Sequence, residues 1–275
     1  MTDAWDVARQ AARDAAVELR PLTAIHDADR INDVIVDTWG GQRLDREVIR
    51  ALAASGNVPW GAFADGALIG FVLGWAGVDD DGLHVHSHML AALPTRRHAG
   101  VGYALKLAQR AQALDQGITV MRWTFDPLVA RNAWFNLGKL GAVVDGFARA
   151  FYGEMADAIN AGERSDRFMI AWDLRRDPGP WAGTVPDDAR TVLRADADGA
   201  DVAHPETDGA PEGPVVFLEI PREYHELRAT DPDLGRRWRD AVADAADACL
   251  DRGMLGVAFA RDRSAYVFAE GDRPA

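Results

Sequence analysis

The stretch Leu83-His-Val-His-Ser-His-Met-Leu-Ala-Ala-Leu-Pro-Thr-Arg-Arg-His-Ala-Gly-Val-Gly-Tyr-Ala-Leu105 decides how the rest of the chain is read. A segment of period 2 runs into Pro94. Arg97, Gly100 and Gly102 follow in an R-x-x-G-x-G pattern, and an apolar helical run starts behind them. The order is strand, glycine-bearing turn, helix N-terminus. Such a turn leaves backbone N–H groups pointing outward where the helix dipole is positive, so a phosphate-bearing ligand is expected there.

Outward from that stretch, the chain reads as alternating elements. Upstream, residues 3–16 carry apolar positions at helical spacing, and Val17 to Leu22 suits a first strand. A helix capped by Asp27 or Asp29 is stopped by Gly40-Gly41, and a second runs from about Asp45 to Ala54. Val58–Ala64 and Leu68–Ala76 flank Asp65-Gly66, a two-residue hairpin signal. Downstream, Ala104, Leu105, Leu107, Ala108, Ala111 and Leu114 form an apolar stripe ended by Gly117. A strand over Ile118–Phe125, a helix over Asn132–Leu140, strands over Ala142–Tyr152 and Phe168–Leu174, and a polar helical excursion over Met155–Asn160 complete this part.

Residues 177–212 are rich in Pro, Asp, Ala and Gly and read as an acidic linker with one strand-like piece, Thr191–Arg194. Beyond it, residues 213–275 read as a small α+β region. A strand over Val215–Ile220 and a helix from about Leu234 to Leu250 precede two short strands flanking Arg261-Asp262-Arg263. Strand, helix, strand, strand echoes the first seventy residues, as a diverged half-repeat would.

At 275 residues the length favours about two domains, and the apolar content is that of a core-forming chain. A net charge of −13 argues against a nucleic-acid backbone as partner and gives no support for an anionic membrane surface. No apolar run approaches a membrane span and the start carries no signal-like pattern. The single cysteine, Cys249, fits a reducing compartment, so a cytoplasmic location is expected.

The pattern Leu93-Pro94-x-x-Arg97-x-x-Gly100-Val101-Gly102, followed by Leu105, resembles motif A of the GNAT superfamily of acyl-CoA N-acyltransferases. The element order β-α-α-β-β-β-α-β-α-β-β over residues 17–175 is similar to that fold. Asn132 together with Lys139-Leu140-Gly141-Ala142 resembles a second family segment. Trp123 to Leu128, Arg131-Asn132-Ala133 and Ser165 to Phe168 resemble a bacterial branch that carries an extra C-terminal region. The fold class expected is therefore α/β, a GNAT-like domain over residues 1–176 with a mixed, splayed sheet and a smaller α+β C-terminal appendage. His98 stands where the family usually has Gly, and Leu137 stands where many members carry the Tyr that protonates the leaving thiolate.

The resemblance implies acetyl-CoA, or another acyl-CoA, as co-substrate. It gives the pyrophosphate to the N–H groups of Arg97, His98, Ala99, Gly100, Val101, Gly102 and Tyr103. The thioester carbonyl goes to a backbone N–H among Leu90, Ala91 and Ala92, an oxyanion-hole arrangement. Asn132 resembles a position that contacts the pantetheine arm, and as a residue type it also suits a helix N-cap. The amine must arrive as free base, because its unperturbed pKa is near 10.

His84, His86 and His88 alternate and so share one strand face. His88, nearest the acyl end, is the candidate base or relay; the alternative is an ordinary strand histidine. Three alternating histidines without a fourth partner make a poor metal site, and no metal is expected. Asp126 could hold the acceptor's ammonium group, act as base, or simply end its strand before Pro127. Tyr152 is the replacement acid for the Tyr absent at 137. Arg167 could recognise an acceptor carboxylate or pair locally with Asp166. The function expected is transfer of an acetyl group to a primary amine of a small molecule. Succinyl or another acyl transfer to an amino acid is the neighbouring reading. A silent CoA-binding sensor or an interaction protein is the rival, and a homodimer is left open.

Overall fold

The computed structural model describes residues 3–40, 43–93, 100–153, 164–195, 211–271 and 273–274. The chain forms two compact units. Of the described residues, one unit holds the chain up to Trp123 together with Asp173–Asp177. The other holds Thr124 to Gly153, Arg164–Trp172 and Pro178 onward. This division differs from the boundary read at residue 176, because residues from Thr124 onward gather with the C-terminal region.

In the first unit, β1 (Glu18–Pro21), β2 (Trp60–Ala64), β3 (Ala67–Asp79) and β4 (Gly82–Ala92) pair antiparallel in that order. β5 (Val120–Phe125) adds parallel to β4 through Val85↔Met121 and His86↔Arg122. Asp65 and Gly66 both take positive φ, 52° and 79°, the turn a tight hairpin requires. α2 (Ile25–Trp39) and α3 (Arg46–Ala54) belong to one sheet face, where Ile31, Val34, Ile35 and Ile49 close on Phe63, Phe71, Leu73 and Ala91. α4 (Val101–Asp115) belongs to the other, where Val101 and Leu105 meet Ala62, Ile69 and Val72. α2 starts earlier than expected, at Ile25, because the Asp27 carboxylate reaches back to accept from the Ala24 N–H at 2.9 Å.

α1 (Ala4–Asp14) is capped by the Asp3 carboxylate and packs along α4. Its Trp5 indole donates to Asp115 at 2.7 Å and packs, tilted, against Trp60 with ring centres 4.9 Å apart. The single apolar stripe read for α4 therefore understates its enclosure. Lys106, Gln109 and Arg110 are buried as well, and Arg110 donates to the carbonyls of Leu174 and Arg176.

In the second unit the strand order is β7-β6-β10-β11-β9-β8. These are β6 (Val143–Ala148), β7 (Arg167–Asp173), β8 (Arg190–Leu193), β9 (Val215–Glu219), β10 (Met254–Ala260) and β11 (Ala265–Glu270). Only β8 and β9 run parallel; the other described pairings are antiparallel. β6 pairs with β10 at Val144↔Gly256, so the C-terminal strands extend the same sheet as β6 and β7. β8 lies inside the stretch read as linker. α5 (Ala130–Ala133) continues as a π-helix over Trp134–Leu140, and α6 (Tyr224–Thr230) leads to the long α7 (Pro232–Asp251). A half-repeat would place β9 beside the first strand of its hairpin, as β1 lies beside β2. Instead β9 lies beside the second, β11, so the echo is one of element order and not of topology. The helical excursion read at 155–160 lies outside the described residues.

Candidate functional site

The strand β4 carries a bulge, and the bulge residue is His88. Leu73 pairs with Met89 and Gly74 with Ser87, which leaves His88 as the extra residue. Gly74 makes this possible: a Cβ there would lie 2.5 Å from the His86 carbonyl oxygen and 2.7 Å from Gln109 Nε2. Strict alternation would put Ser87, Met89 and Ala91 on one face. The bulge breaks it, so Met89 and Ala91 pack on the α2 side while Leu90 and Ala92 pack with Val101 and Leu105 on the α4 side.

His86 and His88 remain together on the Trp75 side of the strand. Trp75 lies 5.1 Å from the His86 ring and 4.9 Å from the His88 ring, and the two imidazoles are 5.7 Å apart. Desolvation, then the neighbouring His88, His84 and Lys106, lower the His86 pKa to about 4. His88 is exposed on one side, yet its packing still lowers its pKa through desolvation. Both rings are thus set toward the neutral form, which has a lone pair to accept a proton. His84 faces the turn instead, with Nδ1 near the Gly82 carbonyl at 3.2 Å and Asp79 at 3.7 Å. Among the described residues no group of three or more His, Cys, Asp or Glu is arranged to hold a metal ion.

Gly100 forms the N-cap of α4 in the left-handed region, φ 83°, and its carbonyl accepts from the Ala104 N–H at 3.0 Å. That φ asks for glycine. Gly102 is different: a Cβ there would make an ordinary 3.6 Å contact with Leu90, so internal packing does not require glycine. Glycine in a helix costs about 1 kcal/mol relative to alanine. A glycine that packing does not require, second residue of the helix, suits the close approach of a ligand to the backbone. Val101 is buried and Tyr103 is half-buried beside them. Arg97, His98 and Ala99 lie outside the described residues.

The sequence reading passed over Lys106. Its side chain is 2% exposed. Nζ donates to Ser87 Oγ at 2.7 Å, lies 3.8 Å from Met121 Sδ and sits 3.6 Å over the Trp123 ring. Ser87 Oγ donates in turn to Gln109 Oε1 at 2.7 Å. Burial holds the Lys106 pKa well below its ordinary value. A signal was present: a lysine between Leu105 and Leu107, inside the run Ala104 to Ala108, stands among apolar neighbours on both sides.

In the second unit, Asp126 is engaged on both oxygens. Arg239 of α7 donates to Oδ2 at 3.0 Å and to Oδ1 at 3.4 Å, the Leu128 N–H donates to Oδ1 at 2.9 Å, and Arg167 lies 3.8 Å away. Arg239 and Arg167 are themselves buried. Tyr266 donates to the Pro127 carbonyl at 2.6 Å, and burial together with Asp126 raises its pKa well above the usual value, so it stays a donor. Arg167 also donates to the Asp166 carbonyl at 2.8 Å, and Asp166 is paired with Arg164 at 2.7 Å. The ammonium-holding role read for Asp126 and the carboxylate-recognising role read for Arg167 therefore meet groups already paired. Arg239, far beyond the family-like segments and 113 positions from Asp126, could not be tied to it by any sequence spacing.

Tyr152 is exposed, with its hydroxyl 3.3 Å from Thr124 Oγ1 and the Arg167 guanidinium 5.4 Å from its ring centre. Asn132 lies inside α5, whose N-cap is Val129, so it does not cap that helix. Leu137 is fully buried in the π-helix, whose packing of Trp134 on Gly138 leaves no room for a Cβ there.

Residues 28–138 match the family model described as the acetyltransferase (GNAT) family. The chain carries a GNAT acetyltransferase domain. It is accordingly an enzyme of the N-acyltransferase type, and its element order from β1 to β7 is that of this fold. Solved GNAT structures are similar at low identity. Naa20 from Chaetomium thermophilum, in complex with a bisubstrate analogue, is 16% identical over 61% of this chain and 94% of its own, with a TM-score of 0.48. The ribosomal-protein-S18-alanine N-acetyltransferase of Escherichia coli is 15% identical over 62% and 98%, at 0.44. The yncA protein of Salmonella typhimurium, solved with acetyl-CoA, is 15% identical over 61% and 99%, at 0.46. No curated protein matches the chain. Among the described residues, no helix of the GNAT domain or of the C-terminal region is long and apolar enough to cross a membrane.

Proposed function

We propose that this GNAT enzyme transfers an acetyl group from acetyl-CoA to a primary amine of a small molecule, with His88 as the group that accepts the amine's proton. The observation that carries the proposal is the pair of desolvated imidazoles, His86 and His88, packed on Trp75 at the β4 bulge. A base that remains unprotonated near neutral pH, backed by an aromatic face, suits an incoming cationic amine: the ring attracts the ammonium group and the imidazole takes its proton.

His88 passes that proton to solvent, the free amine attacks the thioester carbonyl, the C–N bond forms as the C–S bond breaks, and the nitrogen gives its second proton to His88. By the family resemblance a backbone N–H among Leu90, Ala91 and Ala92 receives the developing negative charge. The N–H groups from Gly100 to Tyr103 hold the pyrophosphate, with Arg97, His98 and Ala99 before them. A glycine at 102 that internal packing does not demand supports that binding role. Tyr152 supplies the proton to the departing thiolate, in the role that buried Leu137 cannot take. Asn132 is assigned to the pantetheine arm on resemblance alone. Asp126 and Arg167 take a structural part in this proposal, because both are committed to the Arg239 cluster.

Thiol release from acetyl-CoA over a broad amine panel, amino acids included, tests the proposal. Release with a small amine, reduced about tenfold or more in a His88→Gln variant, is the expected result, the range for loss of a general base being wide. Release only with succinyl-CoA or another donor would replace the acetyl assignment. Acetyl-CoA binding by calorimetry with no release for any acceptor would overturn turnover in favour of a sensor.

A further inference from the structure

We infer that Lys106 is a positioning residue, whose side-chain amine clamps helix α4 to Ser87 and so sets the bulge at His88 relative to the α4 N-terminus. The inference rests on the N-acyltransferase reading for its kinetic consequence, and on geometry alone for the clamp.

The hydrogen-bond directions fix how the clamp works. Ser87 has one hydroxyl proton, and it goes to Gln109 Oε1 at 2.7 Å. The Ser87 oxygen is thereby left to accept from Lys106 Nζ, also at 2.7 Å. Lys106 and Gln109 are three apart on α4, so one face of the helix grips a single strand residue from both sides. Ser87 immediately precedes the bulge residue, and it pairs across the sheet with Gly74, whose missing Cβ gives Gln109 its space.

The amine has no carboxylate partner among the described residues. Its neighbours are a hydroxyl, the Met121 thioether and the Trp123 ring. Burying such a group is costly even when it is hydrogen-bonded. A methionine would fill the same volume without that cost, so space-filling is not a sufficient account of the lysine. What the lysine adds is a directed bond between two parts of the proposed site. Gly100 to Tyr103 lie on the first turn of the gripping helix, and His88 to Ala92 lie directly beyond the gripped serine. Small misplacements between groups that hold and groups that react can cost about 100-fold in rate.

Lys106→Met and Ser87→Ala, singly and together, test the clamp with three measurements. Lys106→Met is expected to melt at or above the wild-type temperature, while kcat falls about tenfold or more and KM for acetyl-CoA changes much less. Ser87→Ala should act in the same direction. The double variant should be no worse than Lys106→Met, because both substitutions break one clamp. Amide hydrogen exchange at residues 87–90 should quicken in each variant, a readout that needs no turnover. Unchanged kcat and unchanged exchange in both single variants would overturn the inference and leave Lys106 a buried filler. Should Lys106→Met fail to fold, Ser87→Ala decides on the same terms. If the wild type turns over no amine, the exchange result still decides the clamp, and only the functional proposal fails.

Discussion

Acidification should loosen the first unit through His86, by an amount the structure allows one to work out. In the unfolded chain His86 titrates near the ordinary value of 6.5, and in the folded protein desolvation, then the neighbouring His88, His84 and Lys106, bring it to about 4. The unfolded state therefore binds more protons between those values. The stabilisation from keeping the ring neutral is complete above 6.5 and is lost as the pH falls toward 4. At about pH 5 the unfolded ring is almost wholly protonated and the folded one about a tenth so, which corresponds to about 2 kcal/mol. His86 is only partly buried, so solvent screening brings the expected loss to about 1 kcal/mol. A His86→Phe variant keeps an aromatic ring against Trp75 and cannot titrate. Urea unfolding followed by tryptophan fluorescence, at neutral pH and near pH 5, measures both proteins, and the acid response of the carboxylates cancels in the comparison. Wild type should lose about 1 kcal/mol more than His86→Phe over that interval. Equal losses would mean that His86 is as protonated in the folded protein as in water, and the argument for a neutral base at the bulge would go with it.

Arg239→Met should destabilise the second unit by about 3 kcal/mol, because it leaves the Asp126 carboxylate in a buried place with Arg167 at 3.8 Å as its remaining ion pair; an unchanged denaturation midpoint would refute the cluster. Gly102→Leu should leave the melting temperature unchanged or slightly higher, as expected for a helix position with room for a side chain, while acetyl-CoA affinity by calorimetry falls about tenfold or more. Retained affinity would remove the phosphate cradle from the first turn of α4. Tyr152→Phe should lower kcat with little change in KM, measured by thiol release, and wild-type turnover would return that hydroxyl to a simple partner of Thr124.

The elements that local chemistry specifies were legible in the sequence. Asp65-Gly66 names its own hairpin, Gly117 ends α4, and the order from β1 to β7 follows from period and punctuation. The features that escaped were set by single insertions and by distance. The bulge at His88 hides inside an unbroken His-x-His-x-His alternation, since an extra residue changes the facing of the residues after it without changing the pattern before it. The π-helix over Trp134–Leu140 reads as α-helical periodicity because seven residues are too few to tell one turn width from another. α6 lacks a clear apolar stripe and escaped for that reason. For the candidate site, the glycines and histidines were found by type and spacing. The partners of Asp126 and Lys106 were not, because Arg239 is 113 positions from Asp126 and Ser87 is 19 from Lys106, and side-chain pairing over such separations leaves no trace in one sequence.

The pairing of β6 with β10 has a practical consequence for anyone handling this protein. A stretch cut at residue 176, the boundary read from the sequence, would end before β10 and leave β6 as an open edge, with Val143, Val144 and Phe147 along a strand whose backbone groups on that side lack a mate. Such an edge invites a second copy to dock strand to strand. The C-terminal strands thus act as a built-in guard against self-association, and fragments made without them should be judged by their tendency to aggregate before they are judged by their chemistry.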